Sequence, residues 1–121
     1  MKTHKDLDVW KQSIALSKDI YELTRGYPKE EMFGLVSQMR RAAVSIASNI
    51  AEGAARRGNK EFSHFLYIAV GSVTELETQL EISKEVGLGE KHKIEGAMQA
   101  VDRLQKMIHG LIRSVKAQET K

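Results

Sequence analysis

Apolar residues recur every three to four positions through four long stretches of this chain, and that period restricts its fold more than any other feature. Leu35, Met39, Ala43, Ile46 and Ile50 follow one another at steps of four, four, three and four, which places them on one face of an α-helix. Ile94, Ala97, Val101, Leu104, Ile108, Leu111, Ile112 and Val115 repeat the pattern near the C-terminal end. Three clusters interrupt the period: Gly26-Tyr27-Pro28, the run from Gly53 to Asn59, and Gly87-Leu88-Gly89. The sequence therefore predicts helices over about 8–25, 33–52, 60–86 and 90–116. Asp8 suits the N-cap of the first, Gly26 a left-handed closing residue, and Glu30 and Glu31 the positive end of the second. Four helices joined by short connections imply an all-α, antiparallel up-down-up-down four-helix bundle.

Its 121 residues are the size of one domain. Zero cysteines exclude a disulfide scaffold and a thiol nucleophile. A single proline and three phenylalanines sit badly with an all-β chain. No stretch approaches the roughly 18 apolar residues of a membrane span, and the first residues lack the apolar core of a secretory signal, so a cytoplasmic protein with no membrane partner is expected.

The second and third helices carry more apolar surface than one core needs. Val44, Ala47 and Ala51 form a small-residue face beside the core stripe of the second, in line with Arg40. Tyr67, Ile68, Val70 and Gly71 surround the first half of the Phe62, Phe65, Leu66, Ala69, Val73, Leu76 and Leu80 stripe of the third. Either a tilted packing buries these faces or homo-oligomerisation covers them; the second is favoured, because large exposed apolar patches are uncommon on monomers. The expected interface is Arg40, Val44, Ala47, Ala51, Tyr67, Ile68 and Gly71.

Motifs for chemistry are lacking. The glycines do not fall into phosphate-loop spacing. Glu61 and His64 form an E-x-x-H, but a di-iron bundle needs a second such pair and two further inward glutamates, so no metal site and no cofactor are expected. Ser45 and Ser48 have no histidine at helical spacing to activate them. Charge is more telling. The net +3 conceals a segment of +4 over residues 36–60 (Arg40, Arg41, Arg56, Arg57 and Lys60 against Glu52) and one of −4 over residues 61–83. The basic groups are candidates for phosphate contact; the competing reading is a set of solvated loop charges paired with neighbouring glutamates. Because Trp10, Tyr21, Phe62 and Phe65 fall on core or core-flanking positions, nucleic-acid contact would be electrostatic rather than by base stacking.

The run from Gln38 through Arg40-Arg41-Ala42-Ala43-Val44-Ser45-Ile46-Ala47-Ser48-Asn49-Ile50-Ala51-Glu52-Gly53 is similar to the signature of the four-helix-bundle proteins encoded in intervening sequences of bacterial 23S rRNA genes. The block Glu61-Phe62, Phe65-Leu66, Ile68-Ala69, Gly71-Ser72 and Glu75-Leu76-Glu77 resembles the third-helix motif of that family, and Asp8-Val9-Trp10 and Tyr27-Pro28-Lys29-Glu30-Glu31 resemble it too. The resemblance implies a small cytoplasmic bundle assembling as a ring-like homopentamer, related in fold to the accessory proteins of diversity-generating retroelements, which bind nucleic acid and a reverse transcriptase through basic surfaces. On its motif positions, Arg40 is expected at a subunit interface or central basic surface. Asn49 and Glu52 are expected to hydrogen-bond near the helix end and fix the following loop, and Gly53 to let the helix stop. The function expected is a non-enzymatic homo-oligomer binding RNA or DNA through Arg40, Arg41, Arg56, Arg57 and Lys60. The alternative is a scaffold that recruits a partner protein without direct nucleic-acid binding.

Overall fold

A computed structural model describes residues 2–119, the side chain of Glu119 excepted. Four helices, α1 (Asp8–Thr24), α2 (Ser37–Ala54), α3 (Asn59–Val86) and α4 (Lys91–Glu119), form the all-α bundle, with no strand among the described residues. α1 lies beside α2 and α4, and α3 lies beside both as well, so each helix has two principal neighbours. Leu16 and Ile20 of α1, Met39, Ile46 and Ile50 of α2, Leu66, Leu76 and Leu80 of α3, and Leu104 and Ile108 of α4 meet in one fully buried core. This is the layout that short connections between long amphipathic helices dictate.

The helix ends differ from expectation in instructive ways. Asp8 is the first residue of α1 and not its cap; Leu7 holds that position without a side-chain bond. The capping chemistry lies one turn earlier, where the Asp6 carboxylate accepts the backbone N–H groups of Lys2 (2.8 Å) and Thr3 (3.2 Å). Gly26 does not adopt a left-handed conformation; only Gly87 and Gly89 do among the described residues. Gly87, at φ 78°, closes α3 while the Leu88 N–H donates to the Ser83 carbonyl at 2.8 Å, the wrapped-back bond typical of a glycine-terminated helix. Regular α2 begins at Ser37, because Met32–Val36 form a π-helical turn kinked at Gly34. The opening of α4 is capped by Glu90, whose carboxylate accepts from the His92 (3.0 Å) and Lys93 (3.1 Å) backbones.

Gly53 corrects the expectation of a helix stop. α2 continues through it to Ala54, and Gly53 is buried. A Cβ there would sit 2.7 Å from the Phe65 Cβ and 3.1 Å from Phe62 Cδ1. The glycine lets the end of α2 lie directly on α3, a close-approach role. Asn49 likewise does not reach the loop. Its Nδ2 donates back one turn to the Ser45 carbonyl (2.9 Å) and hydroxyl (3.0 Å), and Ser45 in turn meets the Ser72 hydroxyl at 2.9 Å across the helix pair. The two open readings of the small-residue face are divided. Ala47 is buried inside the chain, at 7% exposure, and Ala51 is half-buried, whereas Val44 remains 44%, Tyr67 48% and Ile68 40% exposed.

Candidate nucleic-acid interface

The antiparallel topology brings the start of α1, the end of α2, the start of α3 and the end of α4 to one end of the bundle. Arg56 and Arg57 stand there on the α2–α3 connection and Lys60 in the first turn of α3, all exposed to solvent. The same end receives Lys2, Lys5 and Lys11 from the N-terminal segment and Arg113 and Lys116 from α4, all exposed, against the acidic Asp6, Asp8, Glu52 and Glu61. The opposite end collects Glu22, Glu30, Glu31, Glu81, Glu85, Glu90 and Glu95, interleaved with the exposed Arg25, Lys29, Lys84, Lys91 and Lys93, so its negative excess is small. The bundle is thus polarised along its length. One end is basic, and the other is close to balanced with a slight acidic excess.

Local contacts decide which cations at the basic end are available. Arg56 donates to Glu52 at 2.9 Å and its guanidinium lies 5.0 Å above the Phe65 ring, so it is partly neutralised and held. This is the ion pairing that the competing loop-charge reading anticipates, and it links Glu52 to the start of the connection across exposed surface. Arg57 and Lys60 make no ion pair among the described residues. Lys116 donates to the Tyr67 hydroxyl at 3.2 Å and packs over that ring at 5.2 Å. Asn59 Nδ2 donates to Gln118 Oε1 at 3.2 Å and ties the connection to the last turns of α4. The backbone bonds to Asp6 hold its carboxyl below the ordinary carboxylate range, so it stays ionised at neutral pH and sets one fixed negative charge beside these cations.

Arg40 and Arg41 do not join that group. They project from α2 roughly 20 Å from its C-terminal end. Arg40 Nε donates to the Thr24 hydroxyl at 2.9 Å, and the guanidinium stacks 4.5 Å from the centre of the Tyr21 ring. Its work inside the chain is to clamp α2 to α1. Arg41 is exposed and unpaired among the described residues. The lysines of the N-terminal segment and of α4 are the cations that sequence reasoning missed; antiparallel connectivity, followed through to the ends, is the signal that locates them. No group of three or more metal-ligating side chains is present among the described residues, and His64 sits exposed with its ring edge-on to Phe65 at 5.6 Å. No helix among the described residues is long and apolar enough to cross a membrane.

The family model for the 23S rRNA-intervening sequence protein matches residues 5–110. The chain belongs to this family. It is also similar to the crystal structure, at 1.70 Å resolution, of a protein of unknown function from the S23 ribosomal protein family of Bacteroides thetaiotaomicron, with 23% sequence identity and a TM-score of 0.79 over 87% of this chain and 95% of that one. At that identity the likeness establishes the four-helix fold alone. No curated protein matches the chain. Neither the family nor the neighbour carries an indicated enzyme activity.

Proposed function

We propose that this member of the family is a cytoplasmic, non-enzymatic homo-oligomer that binds RNA or another nucleic acid through the basic end of its bundle. A pentameric ring is the assembly that the family resemblance implies. The observation that carries the reading is the gathering of exposed cations from three separate parts of the chain onto one end, with Arg57 and Lys60 unpaired among the described residues. Aromatic rings there are already engaged: Phe62 is buried, Phe65 lies under Arg56, and Trp10 meets the His4 ring edge-on at 5.0 Å. Contact by this end is therefore with phosphates, steeply salt-dependent and weak in sequence preference.

A salt-titrated binding assay with structured RNA tests it. Arg57→Ala with Lys60→Ala should lower the slope of log affinity against log salt by roughly 1.4 to 1.8, at about 0.7 to 0.9 for each phosphate left without its cation. Arg56→Ala, which removes a cation already shared with Glu52, should lower it less. Absence of binding to any RNA or DNA at low salt refutes the reading.

A further inference from the structure

We propose that the outer face of α3 seats a second copy of this chain, which docks by the patch around its own Phe33. This inference rests on the oligomeric reading above and specifies which surfaces meet.

Phe33 is 96% exposed, far beyond what a large aromatic needs for any contact within its own chain. The π-helical turn Met32–Val36 holds it at the lip of a groove of about 480 Å³ between α1 and α2. Tyr21, Met32 and Val44 give that groove an apolar lining, and its only charged lining residues are Arg40 and Arg41. An exposed ring on an ordered turn, beside apolar surface and an unpaired arginine, has the make-up of an interface anchor.

The outer face of α3 has the complementary make-up. Tyr67, Ile68 and Ile82 are exposed along it, and Gly71 sits among them in the interior of a 28-residue helix. The fold of the single chain gives no reason for that glycine: a Cβ built on it meets nothing within 4 Å, whereas Gly53 is demanded by Phe65. Glycine weakens a helix interior relative to alanine, so an unneeded glycine is a standing disadvantage to the free chain. Gly96 on α4 also has open space, but its helical neighbours Lys93, Gln99 and Arg103 are polar. Gly71 instead leaves a gap beside the exposed Tyr67 and Ile68, with Thr74 and Glu75 on its other side. Glu75, one turn on, is exposed and unpaired among the described residues, and the segment 61–83 contains no lysine or arginine.

The first patch thus presents the unpaired Arg41, and the second, beyond the Tyr67 ring that Lys116 covers, presents the unpaired Glu75. Pairing either with itself would oppose like charges; pairing one with the other, head to tail, opposes Arg41 to Glu75 and leaves each copy with a free patch for the next.

Light scattering on the full chain tests this with two variants that the fold tolerates: Phe33→Asp, at a position without intramolecular cover, and Gly71→Leu, where the added side chain has room and a better helix former replaces glycine. Circular dichroism and thermal unfolding should report intact helices in both. The wild type is expected as an oligomer, and each variant as a single chain, with the dissociation constant raised about tenfold or more by loss of an anchor. An equimolar mixture of the two should form dimers and nothing larger, because Gly71→Leu still offers Phe33 and Phe33→Asp still offers the gap at Gly71. Wild-type mass in either folded variant, or a mixture that stays monomeric, overturns the head-to-tail assignment while the oligomeric reading stands. A monomeric wild type at tens of micromolar overturns both.

Discussion

Replacing Gly53 by alanine tests the tightest contact in the bundle. In a helix interior this substitution ordinarily stabilises by about 1 kcal/mol, because alanine lacks the backbone freedom of glycine and shields the helix better. At Gly53 the new methyl would lie 2.7 Å from the Cβ of Phe65, 3.1 Å from Phe62 Cδ1 and 3.3 Å from the Phe62 carbonyl oxygen. A Cβ and a carbonyl are fixed to the α3 backbone and cannot swing aside as the tip of a flexible side chain can. Relief requires the end of α2 to move off α3, which separates Ile50 from the core and lifts Phe65 from beneath Arg56. Overpacking costs typically about 1 to 3 kcal/mol, and two contacts to atoms fixed on the α3 backbone put this site at the upper end, about 2 to 3 kcal/mol, so a net loss of about 1 to 2 kcal/mol remains after the propensity gain. For a chain of this length that lowers the unfolding midpoint by roughly 3 to 8 °C. Gly96→Ala is the matched control: the same change, in a helix interior where a Cβ meets nothing within 4 Å, should raise stability by about 0.5 to 1 kcal/mol. Urea unfolding followed by circular dichroism reads both. A Gly53→Ala protein as stable as the wild type would refute the close-approach account of this glycine.

Three further outcomes follow from individual contacts. Arg40→Ala removes both the bond to the Thr24 hydroxyl and the stacking on Tyr21, and should lower stability by about 1 to 2 kcal/mol in urea unfolding; Arg40→Lys should restore little of it, since an ammonium cannot reproduce a planar stacked donor. Tyr27→Phe deletes the hydroxyl that donates to Ser83 at 2.7 Å inside the core, a loss of about 1 to 2 kcal/mol. Burial pushes the Tyr27 phenol above its ordinary value, so its contribution is complete below the unfolded phenol value near 10, falls as pH rises through the folded one, and this alkaline loss should be absent in the phenylalanine variant. The backbone bonds from His92 and Lys93 hold the Glu90 carboxyl below its ordinary range; its capping is present above the usual glutamate value and lost as pH falls through the lowered one, so the protection of the first amides of α4, measured relative to the intrinsic exchange rate at each pH, should fall on acidification in the wild type and be already low in Glu90→Ala.

The sequence makes the bundle legible because periodicity of 3.6 is a property of one helix at a time. The core stripes of α2, α3 and α4 follow from residue spacing, and most of the residues placed on them are buried. The end of α3 is legible too, since the cluster Gly87-Leu88-Gly89 interrupts the period there; that Gly87 and not Gly26 takes the left-handed conformation is not. What spacing does not reveal is which second helix a side chain meets. Gly53 looks like a stop because it ends an apolar pattern; its function lies in Phe65, on the next helix. Arg40 looks like an exposed member of a small-residue face, and Thr24 and Tyr21 of α1 claim it. Phe33 looks like the opening residue of the second helix, whereas it lies in the π-helical turn and faces solvent. The basic end is an intermediate case: charge counts by segment find Arg56, Arg57 and Lys60, and the lysines of the N-terminal segment and of α4 join them only through topology.

The proposed surfaces for association and for nucleic acid lie on different parts of the bundle, one along the flanks of α1–α2 and α3, the other at an end. In a ring closed through flanks, with its axis along the bundles, every copy points its basic end the same way. Weak phosphate contacts from each chain then act together on a single long polyanion, and such multivalency strengthens binding by roughly 10² to 10⁴ without any new contact. Gly71→Leu separates the two contributions, because it touches no cation. Binding of an RNA too short to bridge neighbouring chains should be unchanged in affinity and in salt slope per chain. Binding of a long structured RNA should weaken by at least about tenfold and shed the greater part of its salt slope, as fewer phosphates are engaged per assembly. Equal affinity of the wild type and a monomeric Gly71→Leu protein for the long RNA would mean that one basic end suffices by itself, and that the assembly serves some purpose other than repeating it.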